Sequence, residues 1–332
     1  MYDFIAIGDT VTDDFIELDE VRIDTKRDPE DKGYPEICFR FGDKVPFRSS
    51  VVIPAVGNSA NAAISATRLG LKTAFVTDIG DDDRGKKKLE TFRKNGVDTR
   101  FIEVHEGMQS NYHYVLRYQA ERTILVKHET YPYSLPTDME APKWIYLSSV
   151  GEHGLQYHHE IAQYVEQHPE TRLAFQPGTF QIEFGYEKIK DVYAQTDIFF
   201  CNKEEAQRIL NKTEQNIKEL LKDIRALGPQ VAVITDGPKG AYADDGNEVW
   251  FITMYPDSKA PVDRTGAGDA FASTFTSAIA LGKSIPEALS WGPINSMSVV
   301  QYIGAQEGLM PREQLEKHLA DAPENYKPQK IA

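Results

Sequence analysis

Short apolar runs alternate with longer segments of helical period along most of this chain, and that alternation limits its fold more than any other feature. Residues 2–7, 73–78, 144–148, 172–176, 197–201 and 231–235 are short and rich in Ile, Val, Phe or Tyr. Most are followed by Gly, Asn, Asp or Pro, the pattern of buried strands ending in turns. Between them lie helical segments at 58–69 (closing at Gly70), 85–95 (closing at Gly96), 155–167 (stopping before Pro169), 203–210 and 214–227 (closed by Gly228-Pro229). Parallel strands need long crossovers, usually helices, and such sheets are covered on both faces. The order therefore predicts an α/β fold: a three-layer α/β/α sandwich with a mostly parallel central sheet. At 332 residues the chain can bury a sizeable core, and length alone allows one large domain or two.

Two stretches break the rhythm, at about 16–55 and 99–130. The first has strand-like runs at 36–41 and 44–53; the second has them at 100–104, 111–117 and 123–127, with a turn at 119–121. They predict a small antiparallel sheet standing apart from the parallel one, serving as a lid over a site, as a dimerisation surface, or as decoration. Residues 322–332 read as a frayed terminus.

Charge and cysteine content narrow the partners. Lys and Arg number 37 against 51 Asp and Glu, a net charge of −14. Such a chain is repelled by nucleic acid and by anionic membrane surfaces, though a local site can still oppose the global field. Cys38 and Cys201 are too far apart in sequence to suggest a metal pair, and they read as two free thiols in a reducing compartment. The N-terminus lacks the pattern of a secretory signal, and no run reaches about 18 apolar residues, so a soluble cytoplasmic protein is expected.

Four segments carry chemistry. In Asp263-Arg264-Thr265-Gly266-Ala267-Gly268-Asp269-Ala270-Phe271, a glycine turn opens a helix whose Phe271, Phe275, Ala278 and Ile279 recur at helical spacing. Unpaired amides at the positive end of a helix make an anion site, and glycines let a phosphate approach the backbone. Asp269 there either accepts a proton from an attacking hydroxyl or simply complements the helix dipole. In Val56-Gly57-Asn58-Ser59-Ala60-Asn61, Gly57 allows close ligand approach and Asn61 offers a donor and an acceptor to hydroxyls; the alternative is a helix cap. Asn202-Lys203-Glu204-Glu205 lies past a strand end, where ligands of open α/β sheets gather, and suits a hydrated Mg²⁺ or a capping pattern. Thr235-Asp236-Gly237-Pro238-Lys239-Gly240 also follows a strand and is otherwise an ordinary turn. The phosphate loop Gly-x-x-x-x-Gly-Lys-Ser/Thr is missing, and no Gly-x-Gly-x-x-Gly follows the first strand, which disfavours a nicotinamide dehydrogenase.

In this order the segments resemble the ribokinase-like, or PfkB, carbohydrate kinase family, over nearly the whole chain from Ile5 to about Leu315. Residues 263–271 resemble its C-terminal signature and 57–96 its N-terminal one, and Asn202-x-x-Glu205 matches its Asn-x-x-Glu motif. The resemblance implies a single kinase domain over 1–332 with a small β-sheet lid, and transfer of the ATP γ-phosphoryl group to an alcohol of a small sugar. It implies Asp269 as base and the amides of Gly266, Ala267 and Gly268 as the cradle of the migrating phosphate. Asn202 and Glu205 would serve waters on Mg²⁺, and Thr235, Gly237 and Gly240 would line the nucleotide. Asp13, with Asp14 as rival, Gly57 and Asn61 would meet the substrate; Asp263 and the loop near Ala305 would hold a monovalent cation such as K⁺. In some members the lid is also a homodimer interface.

One departure is Val56, where the family often has a second glycine, which would narrow the sugar pocket. Tyr112, Tyr114 and Tyr118, near Arg117 and Arg122, could share one face of a lid strand. Stacked on a base they would favour a nucleoside kinase; the alternative is lid packing. A non-catalytic sugar or nucleotide sensor is the competing class. His153, His158 and His159 read as a surface helix start rather than a metal site. Lys239 and bound Mg²⁺ would help the acidic chain accept ATP.

Overall fold

The computed structural model describes residues 1–24, 36–119 and 121–331. Among these, ten strands form one sheet with a parallel centre. Phe4–Ile7 lies between Thr73–Gly80 and Trp144–Leu147, and Arg172–Phe175, Ile198–Asn202 and Val231–Thr235 continue outward in parallel. Alternate side chains of a strand serve opposite faces. Phe4 and Ala6 accordingly join a core with Ala60, Ile64, Phe275 and Trp291, while Ile5 and Ile7 join another with Tyr157, Ile161, Val192 and Leu220. Helices therefore cover both faces, and the central strands read as continuous apolar runs because neither face meets water. Removing a ring such as that of Phe275, which is fully buried, would cost about 3–5 kcal/mol.

Helices Ala267–Ala280 and Ile285–Val299 pack closely because Gly292 has no side chain: a Cβ there would lie 2.6 Å from the Phe271 ring. Beyond Val231–Thr235 the sheet turns antiparallel through Ala241–Asp244, Val249–Ile252 and Gln329–Ile331. The tail read as frayed is thus held: Gln329–Ile331 supplies the last strand, and the buried Tyr326 donates to the Ser290 carbonyl at 2.7 Å. Few apolar residues mark this segment; pairing to an open sheet edge fixes it.

The second sheet has the order Phe47–Val56, Val11–Leu18, Tyr112–Tyr118, Glu121–Lys127. It differs from the expected small antiparallel sheet in four ways. It begins at Val11, its central pair is parallel, and neither the run at 100–104 nor that at 36–41 joins it. Strand Ile102–His105 pairs instead with Thr73–Gly80 at the edge of the large sheet, where Ile102 is buried in the core. The run at 36–41 yields Glu36–Cys38, paired with Arg22–Asp24 in a separate ribbon. Residues 25–35 of the first stretch, Ala120 of the expected turn and the last residue, Ala332, lie outside the described residues. Among the described residues no helix is long and apolar enough to cross a membrane, and Cys38 and Cys201 are free thiols.

Candidate active site

Parallel pairing brings the C-terminal ends of the strands to one edge. Ile7, Leu147 and Phe175 are in register, as are Asn202 and Thr235. Gly8-Asp9, Ser148-Ser149 and Gln176 leave from this edge, and helix Ala267–Ala280 contributes its first turn to the same place, through Asp269.

The loop before that helix is locked from within. Asp263 Oδ1 accepts from the amide (3.0 Å) and hydroxyl (2.8 Å) of Thr265, and Oδ2 accepts from the Gly304 amide at 3.0 Å. Asp263 thereby ties the loop to the one carrying Ala305. Gly266 is left-handed, with φ 78°, and a Cβ there would fall 2.2 Å from the Ala305 Cβ. Its carbonyl accepts the first helical bond, from the Ala270 amide at 2.8 Å. The amides of Gly268 and Asp269 precede that bond as orphan donors at the positive end of the helix, and the Ala267 amide makes only a long 3.5 Å bond to the Arg264 carbonyl. Space stands open over Gly268, where the nearest neighbour of a Cβ would be Gln176 Nε2 at 3.9 Å.

Asp269 sits in the first turn and is held from two sides. Asn61 Nδ2 donates to its Oδ2 at 2.8 Å and Gln176 Nε2 to its Oδ1 at 3.1 Å. Each donor is itself fixed. Gln306 Nε2 donates to Asn61 Oδ1 (2.9 Å) and to the Ala55 carbonyl (2.7 Å). The Tyr146 hydroxyl donates to Gln176 Oε1, and the Ser148 hydroxyl to the Gln176 carbonyl at 2.7 Å. Burial pushes the Asp269 carboxyl above its ordinary range, and the bonds from Asn61 and Gln176 oppose that rise. A carboxylate raised in this way is a better proton acceptor than a solvated one, and its donors, which favour the ionised form, hold it in place.

Asn202 and Glu205 form a reciprocal capping box: the Glu205 amide donates to Asn202 Oδ1 and the Asn202 amide to Glu205 Oε2, each at 2.8 Å. Capping does not exhaust Glu205. Burial pushes its carboxyl up, the Asn202 bond opposes this, and the negative field of Asp269 adds to the rise. The field of Asp269 reaching Glu205 shows that the two carboxyls belong to one strand-end edge. Thr235 pairs in register with Asn202, and the turn Gly237–Lys239 follows it. A Cβ on Gly240 would strike the Ile252 carbonyl at 2.2 Å, and its φ of 109° also favours glycine. Lys239 is exposed and paired with Asp236 at 3.4 Å.

The small sheet separates Asp13 from Asp14. Asp13 shares a face with Phe15, and with Ile53 and His113 opposite it on neighbouring strands; Ile53 and Phe15 approach Gly304. Asp14 points to the other face and accepts from the Tyr112 hydroxyl at 3.1 Å. Tyr112 and Tyr114 lie on that second face, edge to face at 5.0 Å, with the Arg84 guanidinium 4.0 Å over Tyr112. Gly57 caps helix Asn58–Arg68 with φ 118°, and a Cβ there would fall 2.8 Å from the Asp9 carbonyl. Val56 is buried, its carbonyl accepting from Thr10 at 3.1 Å. The histidine cluster is not all surface: His158 is fully buried, its Nδ1 2.6 Å from the Gly154 carbonyl, and burial lowers the proton affinity of its ring. His159 pairs with Asp191 at 2.6 Å and His153 with Glu152 at 3.3 Å, both partly exposed, so the three share no site.

Gln176, Gln306, Asp9 and His128 escaped the sequence reading. For Gln176 one signal existed, its place between an apolar run and Pro177-Gly178.

The model for the pfkB family of carbohydrate kinases matches residues 32–312. The ribokinase of Bacillus subtilis is 28% identical over 284 residues, 84% of this chain and 92% of that protein. An uncharacterized sugar kinase of Archaeoglobus fulgidus is 28% identical over 249 residues, 73% of this chain and 97% of that protein. The structure of Arabidopsis thaliana ribokinase complexed with ribose and ATP aligns with a TM-score of 0.78, over 95% of this chain and 98% of that one, at 20% identity.

Proposed function

The chain belongs to the pfkB family of carbohydrate kinases and is an ATP-dependent sugar kinase, and from that premise we propose how its residues divide the work. Asp269 takes the proton of the acceptor hydroxyl, while Asn61 and Gln176 hold its carboxylate toward that hydroxyl. The amides of Gly266, Ala267 and Gly268 receive the oxygens of the transferring phosphoryl group. Phosphoryl transfer depends on positioning and charge neutralisation more than on a strong base, which suits a carboxylate. Asn202 and Glu205 hold water on Mg²⁺, which when bound neutralises phosphate charge. Thr235, Gly237 and Gly240 line the nucleotide; Asp13, Gly57 and Asn61 meet the sugar. Asp263 orders the loop that carries the phosphate cradle, and with the Ala305 loop offers oxygens to K⁺.

The small sheet acts as a lid that keeps water from competing as acceptor. Its edge strands expose Val51, Val52, Leu125 and Val126, which supports pairing with a second copy through the lid. Localisation in the cytoplasm accords with the free thiols and acidic charge. The observation that carries the reading is the carboxylate of Asp269, in the first turn of a glycine-led helix, bonded from two sides. Turning Tyr112 and Tyr114 to the Asp14 face removes the support for base stacking, so a sugar is favoured over a nucleoside. The test is ATP consumption against a panel of sugars, sugar acids and nucleosides, with Mg²⁺ and K⁺ present. Transfer to a sugar is expected; transfer only to nucleosides would support the alternative, and binding without any turnover would make the chain a sensor.

A further inference from the structure

Beside Gly57, a row of four side chains runs from the floor of the large sheet to the inner face of the small one. Asp9 is 3% exposed, and its Oδ2 accepts from the Tyr133 hydroxyl (3.1 Å) and from His128 Nδ1 (3.2 Å). His128 Nε2 meets His113 Nε2 at 3.1 Å, and His113 Nδ1 stands 3.3 Å from Asp13 Oδ1. Phe180, at an edge-on 5.8 Å, backs His128.

A carboxylate stands at each end of the row, with the two imidazoles between them. Among the described residues Asp13 Oδ1 has no hydrogen-bond partner, and neither has Asp9 Oδ1. The row thus presents two carboxylate oxygens that accept from no donor. Buried acceptors without donors are rare in folded proteins, so these atoms point to a ligand that brings donors. Asp13, His113 and His128 keep 13%, 15% and 20% of their side-chain surface, while the two unpartnered oxygens themselves are buried. Lys88 does not fill the need, because it is fully buried and donates to the Asn111 carbonyl at 2.9 Å.

We propose that Asp9, His128 and His113, together with Asp13, receive the non-reacting end of the acceptor substrate and select one rich in hydrogen-bond donors. A neutral polyol or an ammonium-bearing sugar meets that demand. A phosphate or carboxylate at that end offers acceptors to acceptors and adds like charge, so phosphorylated sugars and sugar acids are rejected. The inference rests on the sugar-kinase reading of the same cleft and names its substrate class. Position supports it, since Gly57 touches the Asp9 backbone and caps the helix that brings Asn61 to Asp269.

Calorimetric titration without ATP tests this apart from catalysis, using ribose and fructose, glucosamine, fructose 6-phosphate and gluconate as probes. A neutral or amino sugar is expected to bind at least about tenfold tighter than either anion, and ribose or fructose against glucosamine tells hydroxyl from ammonium. Asp9→Asn and His113→Leu should each weaken that binding about tenfold and erode the preference, with His113→Gln recovering part of it. In turnover, KM for the sugar should rise while KM for ATP holds. Anions binding as tightly, no probe binding at all, or an intact preference in His113→Leu would each overturn the proposal. Sugar binding without ATP consumption would leave it standing and sink the kinase reading instead. If buried Asp9→Asn fails to fold, His113→Leu decides alone.

Discussion

Asp269 and Asp9 both follow tight turns at the strand-end edge, yet they are finished differently. Asp269 has a donor on each carboxylate oxygen, and each donor is fixed by a further bond. Asp9 has two donors on one oxygen and none on the other, and Asp13 nearby is similarly left open. The closed arrangement suits a group that must be aimed before the reaction begins. The open arrangement suits a surface completed by what binds. One region is preorganised by protein, the other by ligand, and substitutions should behave accordingly.

The largest effect should come from Asp269→Asn. An amide keeps the shape but cannot take the hydroxyl proton, so kcat should fall by about 10²–10⁴-fold with the sugar KM little changed. Steady-state assays beside thermal melts check this. Near-normal kcat would make Asp269 a mere complement to the helix dipole and would erase the contrast.

Gly266→Ala attacks the same region through the backbone. The position needs φ 78°, and the new Cβ would sit 2.2 Å from the Ala305 Cβ. Strain of about 1–3 kcal/mol is expected, read as a lower free energy of unfolding in urea together with lost turnover. An unchanged midpoint would mean that the 263–268 and 304–306 loops part easily, contrary to a built cradle.

Gln176→Leu is a finer cut. Gln176 donates to the ionised form of Asp269, so its loss favours the protonated form. The acid limb of the kcat/KM profile should move to higher pH, with activity at neutral pH falling severalfold. A limb that stays in place would free Asp269 from that donor.

The two regions also differ in how far the sequence revealed them. The helix start at 263–271 was readable because its chemistry is local: glycines, an acid and a helical period lie within nine residues. The parallel centre was readable because burial on both faces leaves unbroken apolar runs. Asp9 and His128 carry no local mark, being separated by 119 residues and joined only when strand Phe4–Ile7 and the end of Glu121–Lys127 meet. Asp13 and Asp14 became distinguishable only once pairing with Tyr112–Tyr118 assigned each to a face. The run at 100–104 misled because pattern does not reveal which sheet edge a strand joins. Gln176 was hidden because a strand-end glutamine gains meaning only from the helix opposite.

Lys88 offers the smallest and most specific probe of the open region. It is fully buried beneath the small sheet, and burial lowers its pKa from the ordinary 10.5 to about 7, with the field of Asp82 only partly opposing. Between those values the unfolded chain binds a proton that the native protein has released. Stability therefore rises with pH across that window, by at most about 1.4 kcal/mol per unit from this residue, and the gain is absent below pH 7, where both states are protonated. Lys88→Met removes this contribution, so its unfolding free energy should climb less steeply than that of the unsubstituted protein between pH 7.5 and 9.5. Parallel curves would mean that Lys88 stays charged through the window. A charged Lys88 would then offset Asp9 and Asp13 throughout, and the region would tolerate anionic sugars better than its free oxygens imply.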